Sequence, residues 1–227
     1  MRKRLQIVTG HYGSGKTEYA VNLALALAKE ETHLALADLD IVNPYFRSYE
    51  QARRLEQAGI RVIVTSCGGA ADIPAINPAV MSLFQDAAWR GVLDIGGDPI
   101  GARVLARFAP QLHPEDFDLL YVLNANRPET RDLERALAYM RGIEKECLQQ
   151  VTGIVNNTHL CGETTLEEIL KGARLAGELS RAAGIPIVCH AVEERFAPEA
   201  ARLLHEPVFP MNIYMKKPWE ITTCEEE

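Results

Sequence analysis

The sequence predicts an α/β fold of one domain, a mainly parallel sheet flanked by helices on both faces, on three observations. Short apolar, β-prone runs alternate with longer segments of helical period. A glycine-rich loop stands between the first such run and the first such segment. Later apolar runs end in aspartate, in Leu34-Ala35-Leu36-Ala37-Asp38 and in Val92-Leu93-Asp94. A length of 227 residues suffices for one sizeable core without demanding a second. The 47% hydrophobic and 24% charged fractions exclude a disordered or fibrous chain.

The first strand is expected over residues 5–9, an apolar run stopped by Gly10. The first helix follows over 16–29, where Ala20, Leu23, Ala24, Leu27 and Ala28 share one face. Further strands are expected at 33–37, 61–65, 92–94, 119–123, 153–155 and 185–189, and helices at 49–58, 78–88, 129–146, 166–183 and 198–204. Breakers such as Gly59 and Gly184-Ile185-Pro186 close these helices. Residues 66–77 show no period, and a long irregular loop in a compact domain is either functional or a surface excursion. The nucleotide-binding domain is expected to span 1–210, leaving 211–227 as a C-terminal tail.

Several classes are excluded. Met1-Arg2-Lys3-Arg4 is followed by an apolar run only over 5–8, too short for a signal peptide or a membrane span. Five cysteines, Cys67, Cys147, Cys161, Cys189 and Cys224, are an odd number without a C-x-x-C pair. They suggest neither a disulfide framework nor a zinc ribbon, and a cytoplasmic location is expected. A net charge of −7 argues against general nucleic-acid binding, which needs cations to neutralise phosphates.

Gly10-His11-Tyr12-Gly13-Ser14-Gly15-Lys16-Thr17 satisfies G-x-x-x-x-G-K-[ST] between a strand and a helix. Such a loop points consecutive N–H groups at phosphate, and the helix N-terminus adds a favourable dipole. These residues and Glu18 are the candidate contacts to ATP or ADP, with Lys16 reaching the β and γ phosphates and the Thr17 hydroxyl ligating Mg²⁺. Carboxylates are needed at the carboxyl ends of neighbouring strands. Asp38, Asp40 and Asp94 stand at such ends, and Asp94 beside Gly96-Gly97 suits a carboxylate that holds Mg²⁺ partly through water. An aspartate after a strand also serves as a helix cap or turn residue, but three with such a loop make a site.

On these residues the chain resembles the MinD/ParA-like branch of P-loop ATPases, along nearly its whole length. The resemblance rests on the early loop, on Asp38-Leu39-Asp40-Ile41-Val42-Asn43-Pro44, on Asp94-Ile95-Gly96-Gly97-Asp98 and on Gly153-Ile154-Val155-Asn156-Asn157. It implies a P-loop NTPase fold and a Mg-dependent ATPase, with Asp40 positioning the attacking water, Asp38 near the metal and Asn157 at the adenine edge. It further implies an ATP-dependent homodimer acting on an unknown protein partner. An Asn amide offers both donor and acceptor to a base. Asn157-Thr158-His159-Leu160 lacks the aspartate of a guanine-reading N-K-x-D, which favours ATP over GTP, although Asn156-Asn157 also reads as a turn.

The sequence departs from the family at two places. His11 stands where the branch carries a lysine that crosses a dimer interface, and Gly101 stands where the nitrogenase-type members carry a cluster-ligating Cys. Arg47 and Arg103 either steady phosphate charge or form surface salt bridges. His11, His113, His159 and His190 show no metal-binding spacing. The leading expectation is an ATP-driven switch in which Lys16→Ala abolishes nucleotide binding and leaves the fold intact. The alternatives are a small-molecule kinase or ligase using 66–77 as acceptor loop, a metallocentre-maturation ATPase using Cys67, Cys161 or Cys189, and an ATP-sensing scaffold with little hydrolysis.

Overall fold

The computed structural model describes residues 3–40, 51–64 and 79–215. Its strands are β1 (Leu5–Thr9), β2 (Leu34–Leu39), β3 (Arg61–Val64), β4 (Arg90–Ile95), β5 (Phe117–Leu123), β6 (Gly153–Asn156), β7 (Ile187–Glu193) and β8 (Val208–Met211). They form one sheet in the order β3-β2-β4-β1-β5-β6-β7-β8, and every pairing is parallel. Parallel strands need covering on both faces, which is why β1 and β2 are buried at every residue, Gln6, Thr9 and Asp38 included.

The helices are α1 (Lys16–Leu27), α2 (Ala52–Gln57), α3 (Ala79–Gln85), α4 (Pro99–Ala106), α5 (Leu133–Cys147), α6 (Leu166–Ala183) and α7 (Ala197–Leu203). Tyr19, Leu23 and Leu27 of α1 and Leu55 of α2 pack with Val8, Leu36 and Val92 on one face of the sheet. Leu83 of α3, Leu105 of α4, Met140 of α5 and Leu179 of α6 pack with Ile7, Leu93 and Leu119 on the other. β1, β2, β4 and β5 therefore send alternate residues into opposite cores.

The helix expected over 166–183 is found with those bounds, capped by Thr165, whose hydroxyl accepts from Glu168 N, and closed by Gly184 in the left-handed region. The helix expected from 129 begins instead at Leu133. Asp132 caps it by accepting from Arg135 N at 3.0 Å, while Thr130 donates to Asn124 O at 2.7 Å in the preceding turn. Helix α4 was not expected, although Asp98-Pro99 is a cap followed by proline at the first helical position. Strand β8 was also missed because Pro210 interrupts its pattern; the residue is tolerated because β8 is the edge of the sheet.

The expected boundary after residue 210 falls inside β8, and the following residues are bonded to the body of the domain. Asn212 N donates to Asn22 Oδ1 and Asn22 Nδ2 to Asn212 O, both at 2.9 Å. Glu18 then accepts from Tyr214 N at 2.9 Å and Met215 N at 3.0 Å. Arg54 of α2 lies with its guanidinium carbon 4.2 Å from the Tyr214 ring centroid.

Candidate functional site

The loop after β1 and the first turn of α1 occupy the carboxyl end of the sheet, between β4 and β5. Tyr19 N–H bonds back to Gly15 O at 2.9 Å, so the N–H groups before it have no intrahelical acceptor and face the loop. Gly15 has φ of 80°, and a Cβ there would meet Asn157 Nδ2 at 2.3 Å. Both its backbone conformation and its packing therefore require glycine.

Beneath the loop lies a buried ionic cluster. β2 and β4 are neighbours in a register that sets Asp38 beside Asp94. Lys16 Nζ stands 2.7 Å from Asp40 Oδ2, with both side chains buried. Burial disfavours the Lys16 charge, but Asp94, Asp40 and Asp38 outweigh it and hold the ammonium above its ordinary range. Thr17 Oγ1 donates to Asp94 Oδ2 at 2.6 Å, and Asp40 N donates to Asp38 Oδ1 at 3.1 Å. Asp94 is pushed up to about 7, first by burial, against the pull of Lys16 and with the push of Asp38. Its other oxygen, Oδ1, is buried with no hydrogen-bond partner among the described residues.

That orphaned oxygen beside a threonine hydroxyl suits a cation. Among the described residues no three His, Cys, Asp or Glu side chains form a metal cage. Mg²⁺ at a phosphate site needs none, because it keeps waters and takes further oxygens from the phosphates.

The loop is braced from outside by residues that the sequence reading did not place there. Asn157 Nδ2 donates to Ser14 O at 2.8 Å, so the amide expected at the adenine edge holds the loop backbone. Arg127 Nε donates to Gly13 O at 2.8 Å, and buried Asn124 reaches Gly13 O at 3.4 Å and His159 O at 3.3 Å. Burial and the Arg127 guanidinium push His159 down to about 4, so it is neutral. Asn124-Ala125-Asn126-Arg127-Pro128 lies between the strand expected over 119–123 and the helix expected from 129, and no spacing there signals that Arg127 reaches Gly13.

The remaining candidates fall in several places. His11 Nε2 lies 3.3 Å from Glu129 Oε2 and Nδ1 lies 2.6 Å from Tyr12 O, while Tyr12 itself is exposed. Glu18 is turned away from the loop to the residues 214–215, leaving only its backbone on the loop side. Arg103 pairs with Glu146 at 2.5 Å on the surface, which is the salt-bridge alternative. Arg47, Cys67 and the segments 41–50 and 65–78 lie outside the described residues. Cys189 is buried, with its Sγ 3.7 Å from Tyr19 Oη, and Cys161 is exposed. No described helix is long and apolar enough to cross a membrane.

No protein-family model matches the chain. No curated protein matches it either. Solved structures do. Chloroplast FtsY from Physcomitrella patens aligns at TM-score 0.55 and 19% identity over 83% of this chain and 58% of its own. The cell division protein FtsY from Thermotoga maritima aligns at 0.53 and 23% over 82% of this chain and 60% of its own. Signal recognition particle 54 kDa protein from Aeropyrum pernix K1, in complex with GDP, aligns at 0.51 and 22% over 82% and 41%. The chain thus spans less than two thirds of the length of each. At these identities the likeness concerns fold, and membership of the MinD/ParA-like branch is not among the findings. The eight-stranded parallel sheet, its flanking helices and these neighbours give the chain the P-loop NTPase fold.

Proposed function

We propose that this chain binds ATP with Mg²⁺ at residues 10–18, hydrolyses it, and uses the nucleotide state to signal to a protein partner. The observation that carries the reading is the buried cluster in which Lys16 faces Asp40 at 2.7 Å and Thr17 is bonded to Asp94 at 2.6 Å. A lysine and three carboxylates under a loop of inward N–H groups are costly to bury, and a metal-bound polyphosphate compensates them. Thr17 and Asp94 would hold Mg²⁺, with Asp38 beside them, and the ion would neutralise charge on the phosphate oxygens. Phosphate offers Lys16 a second anion in exchange for Asp40. Asp40 would then orient water for in-line attack.

The preference for adenine rests on the missing N-K-x-D aspartate, since the Asn157 amide hydrogen is committed to Ser14 O. A guanine nucleotide is the second reading, favoured by the GDP bound in one structural neighbour. The resemblance noted above also supports pairing of two copies across their nucleotides. The His11 ring lies against Glu129 and Tyr12 O of its own chain. Steady-state phosphate release from Mg-ATP and Mg-GTP, with the chain in micromolar amounts, tests the proposal. Release from ATP above the rate from GTP supports it, and release from neither removes the hydrolytic part.

A further inference from the structure

The loop after β4 has no side chain to hold it at Gly96 and Gly97, yet it meets the phosphate-binding loop at closest range. A Cβ on Gly97 would lie 1.6 Å from Gly10 O, so the two loops touch backbone to backbone. On its far side the loop is pinned by Asp98, which caps α4 by accepting from Gly101 N at 2.5 Å. Between these fixed points one side chain reaches in from α5. Tyr139 Oη donates to Gly97 O at 2.9 Å, and the same ring meets the His11 ring edge-on at a centroid distance of 4.8 Å and 70°. Tyr139 thus touches both loops at once.

Resting on the nucleotide-binding reading above, we propose that Tyr139 is a positioning residue that sets the loop after β4 for a nucleoside triphosphate against a diphosphate. A trans peptide is planar, so holding Gly97 O toward α5 turns the Asp98 N–H away from α5. The bond therefore selects one orientation of a peptide that glycine neighbours would otherwise leave free. Burial, and then the charges of Asp98 and Glu129, push the Tyr139 hydroxyl up to about 12, so the donor keeps its proton throughout the neutral range. The loop begins on the aspartate side of the site, since Asp94 lies two residues before Gly96. With Asp94 holding the metal as proposed above, a residue acting there would bear on the terminal phosphate more than on the phosphates cradled by α1.

Tyr139→Phe removes the hydroxyl and retains the ring against His11. The full chain and this variant are titrated with Mg-ADP and with a non-hydrolysable Mg-ATP analogue, and steady-state phosphate release from Mg-ATP is measured for both. The variant should hold ADP within about twofold of wild type, bind the analogue about five- to tenfold more weakly, and lose kcat by a similar factor, the scale of one neutral hydrogen bond. An unchanged ratio of analogue to ADP affinity with unchanged kcat overturns the proposal. Equal weakening of both nucleotides also overturns it, because that marks a general loosening of the site. Failure of the underlying reading shows separately, as a wild-type chain that binds neither nucleotide.

Discussion

Asp94→Asn keeps the shape of the side chain and an acceptor for the Thr17 hydroxyl, but removes a buried charge. In the native chain Asp94 is pushed from its ordinary 3.8 to about 7. A carboxyl with a raised folded-state pKa contributes stability that is full below about 4 and is lost as pH rises through about 7. At ~1.4 kcal/mol per unit, the two units between pH 5 and 7 correspond to about 3 kcal/mol. His159 works in the opposite direction: with its pKa pushed down to about 4, its stability is present above 6.5 and lost as pH falls through about 4. The two slopes oppose each other between pH 4 and 6.5, so the wild-type profile alone does not reveal Asp94. The difference between wild type and Asp94→Asn does. In urea denaturation with EDTA, wild type should lose about 3 kcal/mol relative to the variant between pH 5 and 7.5. A difference that is the same at both pH values refutes the reasoning, since a solvated Asp94 would give that result.

Lys16→Ala should abolish binding of Mg-ATP and also destabilise the nucleotide-free protein by about 3–5 kcal/mol, because it leaves buried carboxylates without their cation. Calorimetry reads the first effect and urea unfolding the second. Asp40→Ala should retain nucleotide binding and slow hydrolysis, as expected where an interaction used in the transition state is removed. Steady-state phosphate release at wild-type rate would take Asp40 out of the mechanism. Light scattering of the same variant with Mg-ATP should show trapped pairs of chains, and a monomer that binds without hydrolysing would sink the pairing alone.

What was legible in the sequence was whatever a local pattern encodes. Gly10–Thr17 carries its strand-to-helix context with it, and Asp38 and Asp94 end apolar runs, so their meeting across neighbouring parallel strands followed once the strand order was given. Helix α6 was found with its expected bounds because Thr165 and Gly184 mark both ends. Contacts between distant segments were not legible. Arg127 reaches Gly13 across a separation of 114 residues, and Glu18 reaches Met215 across 197, and neither distance leaves a periodic trace. Asn157 was read as a base contact from the resemblance, and no local pattern signals that its amide also donates to Ser14 O across 143 residues. Strand β8 was hidden by Pro210, whose cost vanishes only because the strand lies at the sheet edge.

The central claim is that the loop over residues 10–17 receives a metal-bound purine triphosphate and prefers adenine. Isothermal titration of the wild-type chain with Mg-ATP and Mg-GTP tests it most directly. One saturable site per chain is expected, with ATP bound roughly tenfold more tightly than GTP, the scale of one buried base-edge group left unsatisfied. Tighter GTP would contradict the adenine assignment, and absence of binding heat with both nucleotides, together with no displacement in competition titrations, would contradict the site itself.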